Sequence, residues 1–175
     1  MVHEILIWPD PRLEQKAAPV GTVDASVQRL IDDMFETMYS VEGTGLAAPQ
    51  IGVGKRVVVI DSSREDQVPP FAMIDPVIVS RVGEVRFEEA CLSIPGEAEP
   101  VNRAARVTVR FLDRTGETRE LEATGLTAMA IQHECDHLDG VVYVKYLPLA
   151  KRERLRNRMK RLKRQRAKGD DAAAR

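Results

Sequence analysis

The chain has 175 residues, of which 43% are hydrophobic, 30% are charged and 5% are aromatic, and its formal net charge is -1. This length suits one domain that can bury a core, and the near balance of charge excludes a polyanionic solvating protein and a uniformly basic one. Two cysteines exclude a disulfide framework and favour a reducing compartment, so we expect the protein in the cytoplasm.

The amino-terminal part of the chain predicts one amphipathic helix and no membrane span. Residues 1–15 include Glu4 and Asp10, which are untypical of a transit peptide or a secretory signal. Apolar runs stay shorter than the roughly 18–20 residues that cross a bilayer, so we expect no membrane partner. A helix is predicted over residues 25–39, where apolar side chains recur every three or four positions and Asp24 can cap the amino end.

Short β-rich segments occupy the middle of the chain, after a glycine-bearing stretch at residues 42–54. β-Branched and aromatic residues are frequent in these segments, and a turn signal at residues 113–116 joins the last two. The predicted strands are 56–61, 72–79, 82–87, 106–112 and 117–123.

A second helix is predicted over residues 125–138, after Thr124 and before Gly140, which suits a carboxyl-terminal cap. Strands gathered between two helices favour an α+β fold over a parallel α/β sheet. We therefore predict a single compact α+β domain over residues 1–150, with short antiparallel β-sheets around this central helix.

The last 25 residues differ sharply in charge from the rest. Residues 1–150 hold 14 basic and 24 acidic side chains, whereas residues 151–175 hold 12 and three. Leu155, Met159 and Leu162 fall at helical spacing, so a basic helix is predicted over 151–168 and a frayed tail over 169–175. One interpretation is that this helix only docks on the acidic domain. The other is that it also binds an anionic partner. The lack of a groove-reading motif favours structured RNA over a specific DNA site.

The second helix contains the metal-binding pattern HExxH, as His133-Glu134-Cys135-Asp136-His137. Histidines at positions i and i+4 project from one helix face and can share one metal ion. Glu134 can then act as general base and later as general acid in metal-assisted amide hydrolysis. The alternative is a pair of histidines without a metal on the helix surface.

A catalytic site of this kind needs a third protein ligand. No histidine follows His137 at the metzincin spacing, and the nearest downstream acid past Asp139 is Glu153 inside the basic helix. The thiols remain. Cys91 lies in a turn-prone segment just beyond a strand and is either a ligand or a small buried hydrophobic residue. Cys135 points away from the histidine face, which favours a packed structural role.

Three segments together resemble the motifs of the peptide deformylase family, GxGLAAxQ, EGCLS and QHExDHLxG. They are GTGLAAPQ at 43–50, EACLS at 89–93 and QHECDHLDG at 132–140, in the family's order and approximate spacing. The similarity extends to residues 8–13 and to the basic terminal helix, so it covers essentially the whole chain. One departure is Ala90, where the family usually has glycine. If that position requires a positive φ, alanine costs on the order of 1 kcal/mol.

The resemblance implies roles for individual residues of this chain. The implied metal ligands are Cys91, His133 and His137. Glu134 matches the general acid/base, Gln50 and the backbone N–H of Leu92 match oxyanion donors, and the Gly45 backbone matches a partner for a substrate strand. The implied wall of a methionine pocket consists of Gly43, Leu126, Met129, Ala130 and His133. For the three helical residues in this wall, the alternative is a plain core-facing position.

The resemblance also implies the reaction and the partners. The implied substrate is a nascent polypeptide that begins with N-formylmethionine, which is hydrolysed to formate and a free amine. The implied metal is Fe²⁺, for which Zn²⁺, Ni²⁺ or Co²⁺ can substitute, and the basic helix is implied to contact ribosomal RNA. Two alternatives remain open. One is an HExxH metallopeptidase, and the other is a ribosome- or RNA-binding domain with a structural metal, for which His3 is the available fourth ligand.

Overall fold

The structure is a computed structural model that describes the backbone of residues 1–173 and the side chains of residues 1–167. The helices are α1 (Ala25–Ser40), α2 (Ser63–Asp66), α3 (Gly125–Leu138) and α4 (Leu149–Ala173). The strands are β1 (Gly45–Ala47), β2 (Val57–Ile60), β3 (Phe71–Val82), β4 (Val85–Cys91), β5 (Ile94–Arg103), β6 (Arg106–Leu112) and β7 (Thr118–Thr124). Short 3₁₀ helices lie at Pro11–Glu14, Ala48–Ile51 and Tyr143–Tyr146. Over the described residues, no helix combines the length and apolar character needed to span a membrane.

All strand pairs in the two sheets are antiparallel. The larger sheet has the order β1-β2-β3-β6-β7, and β4 pairs with β5 in a separate two-stranded sheet. Val57 and Val59 of β2 pack with α1 on one face of the larger sheet, whereas Val58 and Ile60 pack with α3 on the other. This alternation follows the two-residue period of a strand. The predicted single α+β domain with antiparallel sheets around a central helix is confirmed.

Helix α1 is confirmed, with its end one residue beyond the predicted one. The Asp24 side chain accepts hydrogen bonds from the N–H groups of Ser26 and Val27, so it caps the helix as predicted. Its apolar face is buried against the sheet through residues such as Ile31 and Met34, neither of which is exposed. Burial of this face fixes the helix across β1 and β2, the strands that approach the site.

Helix α3 has the predicted bounds, and its amino end is capped by a side chain from outside the helix. Thr124 makes no side-chain capping bond. The carboxylate of Asp66 instead accepts bonds from the N–H (2.6 Å) and the hydroxyl (2.7 Å) of Thr127. At the other end, Gly140 has a φ of +72°, and a Cβ there would lie 2.6 Å from the carbonyl oxygen of Glu14. Glycine is therefore required at that cap.

Helix α4 is longer at both ends than the predicted 151–168. It starts at Leu149, directly after Pro148, and residues 169–173 of the segment predicted to fray are helical. Residues 174 and 175 of that segment lie outside the described residues. The extension at this end is not explained by helix propensity, because residues 169–171 are Gly-Asp-Asp, which favour a helix poorly. Leu155 and Met159 are buried in a cluster that includes Trp8 and Tyr143, so the helix docks on the domain.

Two strands were not predicted, and both lie near the site. β1 has three residues within the glycine-bearing stretch, too few to give a periodic pattern. β5 contains Pro95, Gly96 and Pro100, which interrupt a strand pattern. Proline is tolerated at a sheet edge because its missing N–H is not needed there, and β5 pairs with β4 alone. β4 itself continues to Cys91, beyond the predicted end at residue 87.

Candidate metal centre

Three potential ligand atoms from two different elements meet beside the larger sheet. Cys91 ends β4, while His133 and His137 lie one turn apart on α3. The Sγ and imidazole nitrogen atoms all lie within 4.8 Å of one another, and all three residues are buried. Cys91 Sγ lies 3.3 Å from His137 Nε2, which lies 3.2 Å from His133 Nε2. The structure therefore brings together the three residues for which the resemblance implied a ligand role.

This donor set fits a single divalent ion. A tetrahedral ion about 2.1 Å from nitrogen and about 2.3 Å from sulfur separates its ligand atoms by roughly 3.4–3.6 Å, close to the spacing here. Three protein ligands with a free fourth position are typical of a catalytic site, whereas a structural site is closed by a fourth ligand. His3, the alternative fourth ligand, instead bonds Asp33 Oδ2 at 3.2 Å. The geometry therefore does not favour the structural-metal alternative.

The buried carboxylate of Glu89 contacts Nδ1 of His133, the ring nitrogen that does not face His137. Glu89 Oε1 lies 2.5 Å from His133 Nδ1, and Arg103 donates two bonds to Glu89, at 2.9 and 2.7 Å. Arg103 also donates to Asp136 at 2.7 Å. Burial raises the pKa of Glu89, but hydrogen bonds from Arg103 and His133 outweigh this effect and lower the pKa to about 2. Such a partner fixes the tautomer and the ring orientation of a ligating histidine.

Glu134 lies beside the three ligand residues and is itself buried. Its Oε2 atom has no hydrogen-bond partner among the described residues, and Oε1 lies against the backbone of Gly45. Burial raises the pKa of Glu134 to about 7. A carboxyl group with a pKa near neutral can both accept and release a proton at physiological pH.

The Gln50 side chain is held so that its amide nitrogen is directed towards Cys91. Its Oε1 atom accepts a hydrogen bond from the Ala47 N–H at 2.8 Å, in the turn that follows β1. Its Nε2 atom lies 3.3 Å from Ser93 Oγ and 3.7 Å from Cys91 Sγ. Because the oxygen is already occupied, the amide is held with its N–H groups turned towards the site.

A cavity of about 670 Å³ opens in front of these residues. Nine of the eleven sequence-predicted site residues line it, namely Gly43, Gly45, Cys91, Leu92, Leu126, Met129, Ala130, His133 and Glu134. Gln50 and His137 are not part of its wall. Ala130 lines the cavity and also belongs to the core cluster under the sheet. Cys135 packs in that same core cluster and is separate from the ligand group.

Ala90 causes no backbone strain. It lies within β4, and it is not one of the non-glycine residues with positive φ in the described backbone, which are Glu42, Gln67 and Asp75. The cost considered for a left-handed alanine therefore does not arise. The exposed Ala90 side chain lines the cavity next to Cys91. Alanine in place of glycine therefore adds a methyl group to the cavity wall.

Sequence comparison finds close relatives along most of the chain. A family model described as polypeptide deformylase matches residues 2–153. The chain is 51% identical over 164 residues to a peptide deformylase of Alkalilimnicola ehrlichii, covering 94% of this chain and 92% of the relative. It is 52% identical over 163 residues to a peptide deformylase of Nitrosococcus oceani, covering 93% and 97%.

Solved structures with the same fold carry the same family name. A crystal structure of a peptide deformylase from Legionella pneumophila superposes with a TM-score of 0.89 at 46% identity, covering 95% of this chain and 98% of that one. A peptide deformylase from Ehrlichia chaffeensis in complex with actinonin gives a TM-score of 0.88 at 39% identity, covering 93% and 98%.

Proposed function

The chain belongs to the polypeptide deformylase family, and we propose that its metal-dependent hydrolysis takes place in the cavity beside Cys91, His133 and His137. Its substrate is a nascent polypeptide that begins with N-formylmethionine, and the products are formate and a free amino terminus. The observation that carries the assignment of the site is the buried group of three ligand atoms next to Glu134, a carboxyl group with an oxygen that has no partner in the described structure.

The roles of the individual residues follow from their positions. Cys91, His133 and His137 would hold the metal, which when bound supplies a Lewis acid that activates water for attack on the formyl carbon. Glu134 accepts a proton from that water and later donates it to the leaving amine, and its pKa of about 7 suits both steps. Gln50 Nε2 and the Leu92 N–H donate hydrogen bonds to the formyl oxygen as it gains negative charge.

The peptide is bound by a strand edge and an apolar pocket. β1 is the end strand of the larger sheet, so the Gly45 backbone can pair with an extended substrate without reading its side chains. Gly43, Leu126, Met129 and Ala130 form the pocket for the methionine side chain. Met129 is a soft and adaptable partner for a second thioether.

We propose Fe²⁺ as the native metal, with Zn²⁺, Ni²⁺ or Co²⁺ as substitutes. One thiolate and two imidazoles suit several of these ions, and the resemblance to the family implies iron. Metal analysis of protein purified without oxygen tests this proposal, because a thiolate-ligated ferrous site is open to oxidation. Iron at one equivalent per chain is expected, and stoichiometric zinc in its place would contradict it.

Formate release from a formyl-Met tripeptide tests the function itself. The anaerobically purified enzyme is expected to release formate and to lose this activity on treatment with a chelator. Glu134→Ala is expected to retain metal and lose turnover by several orders of magnitude. The unformylated tripeptide is the control, since cleavage of its internal bonds would favour the metallopeptidase alternative. Normal turnover by the Glu134 variant would remove that residue from the reaction.

We further propose that the enzyme acts in the cytoplasm. In this proposal residues 1–150 form the hydrolase domain and residues 151–168 form the basic helix. The basic helix, which is part of α4, contacts ribosomal RNA. Among the described side chains of α4, four cations pair with acids of the domain, namely Lys151, Arg154, Arg158 and Lys163. Lys160, Arg161 and Arg164 have no carboxylate partner among the described side chains, and all three are exposed. Phosphate backbone is the polyanion that such a cationic face binds without sequence preference.

Deletion of residues 151–175 is a poor test of RNA contact, because it would also remove the buried Leu155 and Met159. The double substitution Lys160→Glu with Arg164→Glu leaves the docked face intact. It is expected to weaken ribosome co-sedimentation in a salt-sensitive way and to leave hydrolysis of the tripeptide unchanged. A matched control with the same change in charge is Arg81→Glu with Arg86→Glu, on exposed positions of β3 and β4. Equal sedimentation of both variants and the wild type would contradict the contact.

A further inference from the structure

Glu99 of β5 is a buried carboxylate whose ion-pair partners lie on α4. Its exposed fraction is 5%. Lys151 Nζ lies 2.5 Å from Glu99 Oε2, and an Arg154 guanidinium nitrogen lies 2.9 Å from Glu99 Oε1. The two cations are more exposed than the carboxylate, with side-chain exposures of 44% and 65%. The charge of Glu99 is therefore compensated from the rim of the domain by the terminal helix.

Glu99 lies directly opposite Glu89 in the β4–β5 ladder. Residues paired in this way place their side chains on the same face of the sheet, with Cβ atoms about 5 Å apart. Like charges in such a pair destabilise a sheet unless each has its own compensation. Glu89 has Arg103 and His133, whereas the ion pairs of Glu99 in the described structure come from α4 alone.

We propose that Lys151 and Arg154 are positioning residues for the metal centre, which they support by neutralising Glu99 and so leaving Glu89 free to hold His133. The proposal rests on the metal site assigned above. It gives α4 a second role, in which the inner face of the basic helix stabilises the site while the outer face contacts RNA.

The physical reason is the cost of a buried charge without a partner. If both cations are removed, the buried Glu99 carboxylate loses the ion pairs that compensate it, in a site where water cannot solvate it well. Arg103 is a guanidinium on the same strand as Glu99, and it already serves Glu89 and Asp136. Any shift of Arg103 towards Glu99, or any separation of the two strands, loosens the contact between Glu89 and His133.

The test is the double variant Lys151→Met with Arg154→Met, which keeps the aliphatic length of both side chains. The full-length protein is loaded with Co²⁺, and loss of the ion to excess chelator is followed by the visible absorption of the thiolate-ligated cobalt. Loss of a histidine's supporting partner weakens metal binding about 10–100-fold, so we expect loss of cobalt to be at least about tenfold faster in the double variant.

Rescue by Glu99→Gln separates electrostatics from packing. Glutamine has nearly the shape of glutamate without its charge, so the triple variant with Glu99→Gln is expected to release cobalt at close to the wild-type rate. The matched control is Arg81→Met with Arg86→Met, which removes two cations from exposed positions of β3 and β4 and is expected to leave the rate of cobalt loss unchanged. Wild-type cobalt loss in the Lys151 and Arg154 variant would overturn the proposal, and so would fast loss that Glu99→Gln fails to restore.

These outcomes are distinct from a failure of the proposed function. The cobalt signal requires only that the ion binds at the assigned ligands, so it reads the electrostatic role without any turnover. Absence of formate release from metal-loaded wild-type protein would contradict the function and leave the cobalt comparison valid.

Discussion

Gly45 and Glu134 are in such close contact that a Cβ built on Gly45 would lie 2.5 Å from Glu134 Oε1. That distance is too short for any real side chain, so the backbone of β1 can approach the carboxylate only because residue 45 is glycine. The edge strand and the carboxylate proposed as general acid/base are thus packed against each other. Glycine at position 45 therefore has a steric reason besides the proposed pairing of its backbone with substrate.

Gly45→Ala is expected to displace the Glu134 carboxylate and to lower kcat about 100-fold, because misplacement of a catalytic group by about 1 Å has a cost of that order. Metal content should stay at the wild-type level, since neither residue is among the proposed ligands. Gly54→Ala is the matched control, as no atom lies within 4 Å of a Cβ built there. Equal kcat values for the two variants would show that Glu134 can relax without loss.

Cys91→Ser is expected to lower metal occupancy, measured by metal analysis after dialysis, because a hydroxyl is a much weaker ligand than a thiolate. Cys135→Ala is the control for loss of a thiol. Cys135 is also buried, and burial raises its pKa to about 12, so it stays a protonated core residue. Wild-type occupancy in the Cys91 variant, or loss in the Cys135 variant, would assign the ligand role differently.

How much of the fold the sequence predicts depends on how regular each segment is. α3 has the predicted bounds because glycines flank an apolar stretch that is buried along most of its length. β5 was missed because its prolines argue against a strand, and only the pairing with β4 makes the extended conformation favourable. The start of α4 was predicted two residues too late, since charge composition changes there but helix propensity does not.

The residues of the site divide in the same way. Some are predicted from local sequence, and others depend on contacts between positions distant in sequence. Three motifs predict Glu134 and the three residues that meet in the candidate metal centre, because those residues carry the pattern themselves. Glu89, Arg103 and Glu99 were missed, since their importance comes from pairings between residues distant in sequence, such as the 44 positions between Glu89 and His133. One signal was available, because Glu89 precedes Cys91 by two residues and a strand places both side chains on one face.

Asp66→Ala is expected to lower the free energy of unfolding by about 1 kcal/mol, the usual cost of a lost helix cap. Asp66 caps α3 from outside that helix, through the N–H and hydroxyl of Thr127. Urea unfolding measures the effect. Glu65→Ala is the control, because Glu65 is the adjacent acidic residue and is exposed. Equal losses in the two variants would show that the cap contributes nothing specific.

Asp10→Asn tests a charge contribution that depends on pH. Hydrogen bonds from the Arg12 side chain lower the pKa of Asp10 to about 2, against a partial increase from burial. Because the folded-state pKa is depressed, the carboxylate stabilises the fold fully above its unfolded pKa of about 4 and progressively less as the pH falls towards 2. Arg12 is 55% exposed, which limits the expected contribution to about 1 kcal/mol.

The unfolding free energies of wild type and Asp10→Asn should therefore differ by about 1 kcal/mol at pH 7 and converge between about pH 4 and pH 2. Asp32→Asn is the matched control. Asp32 pairs with Arg114 at 2.9 Å, but both side chains are more than half exposed, at 60% and 52%. An exposed pair contributes little because solvent screens it, so that variant should resemble the wild type at every pH. A difference for Asp10→Asn that persists unchanged at pH 2 would mean that the side chain acts through shape and not through its charge.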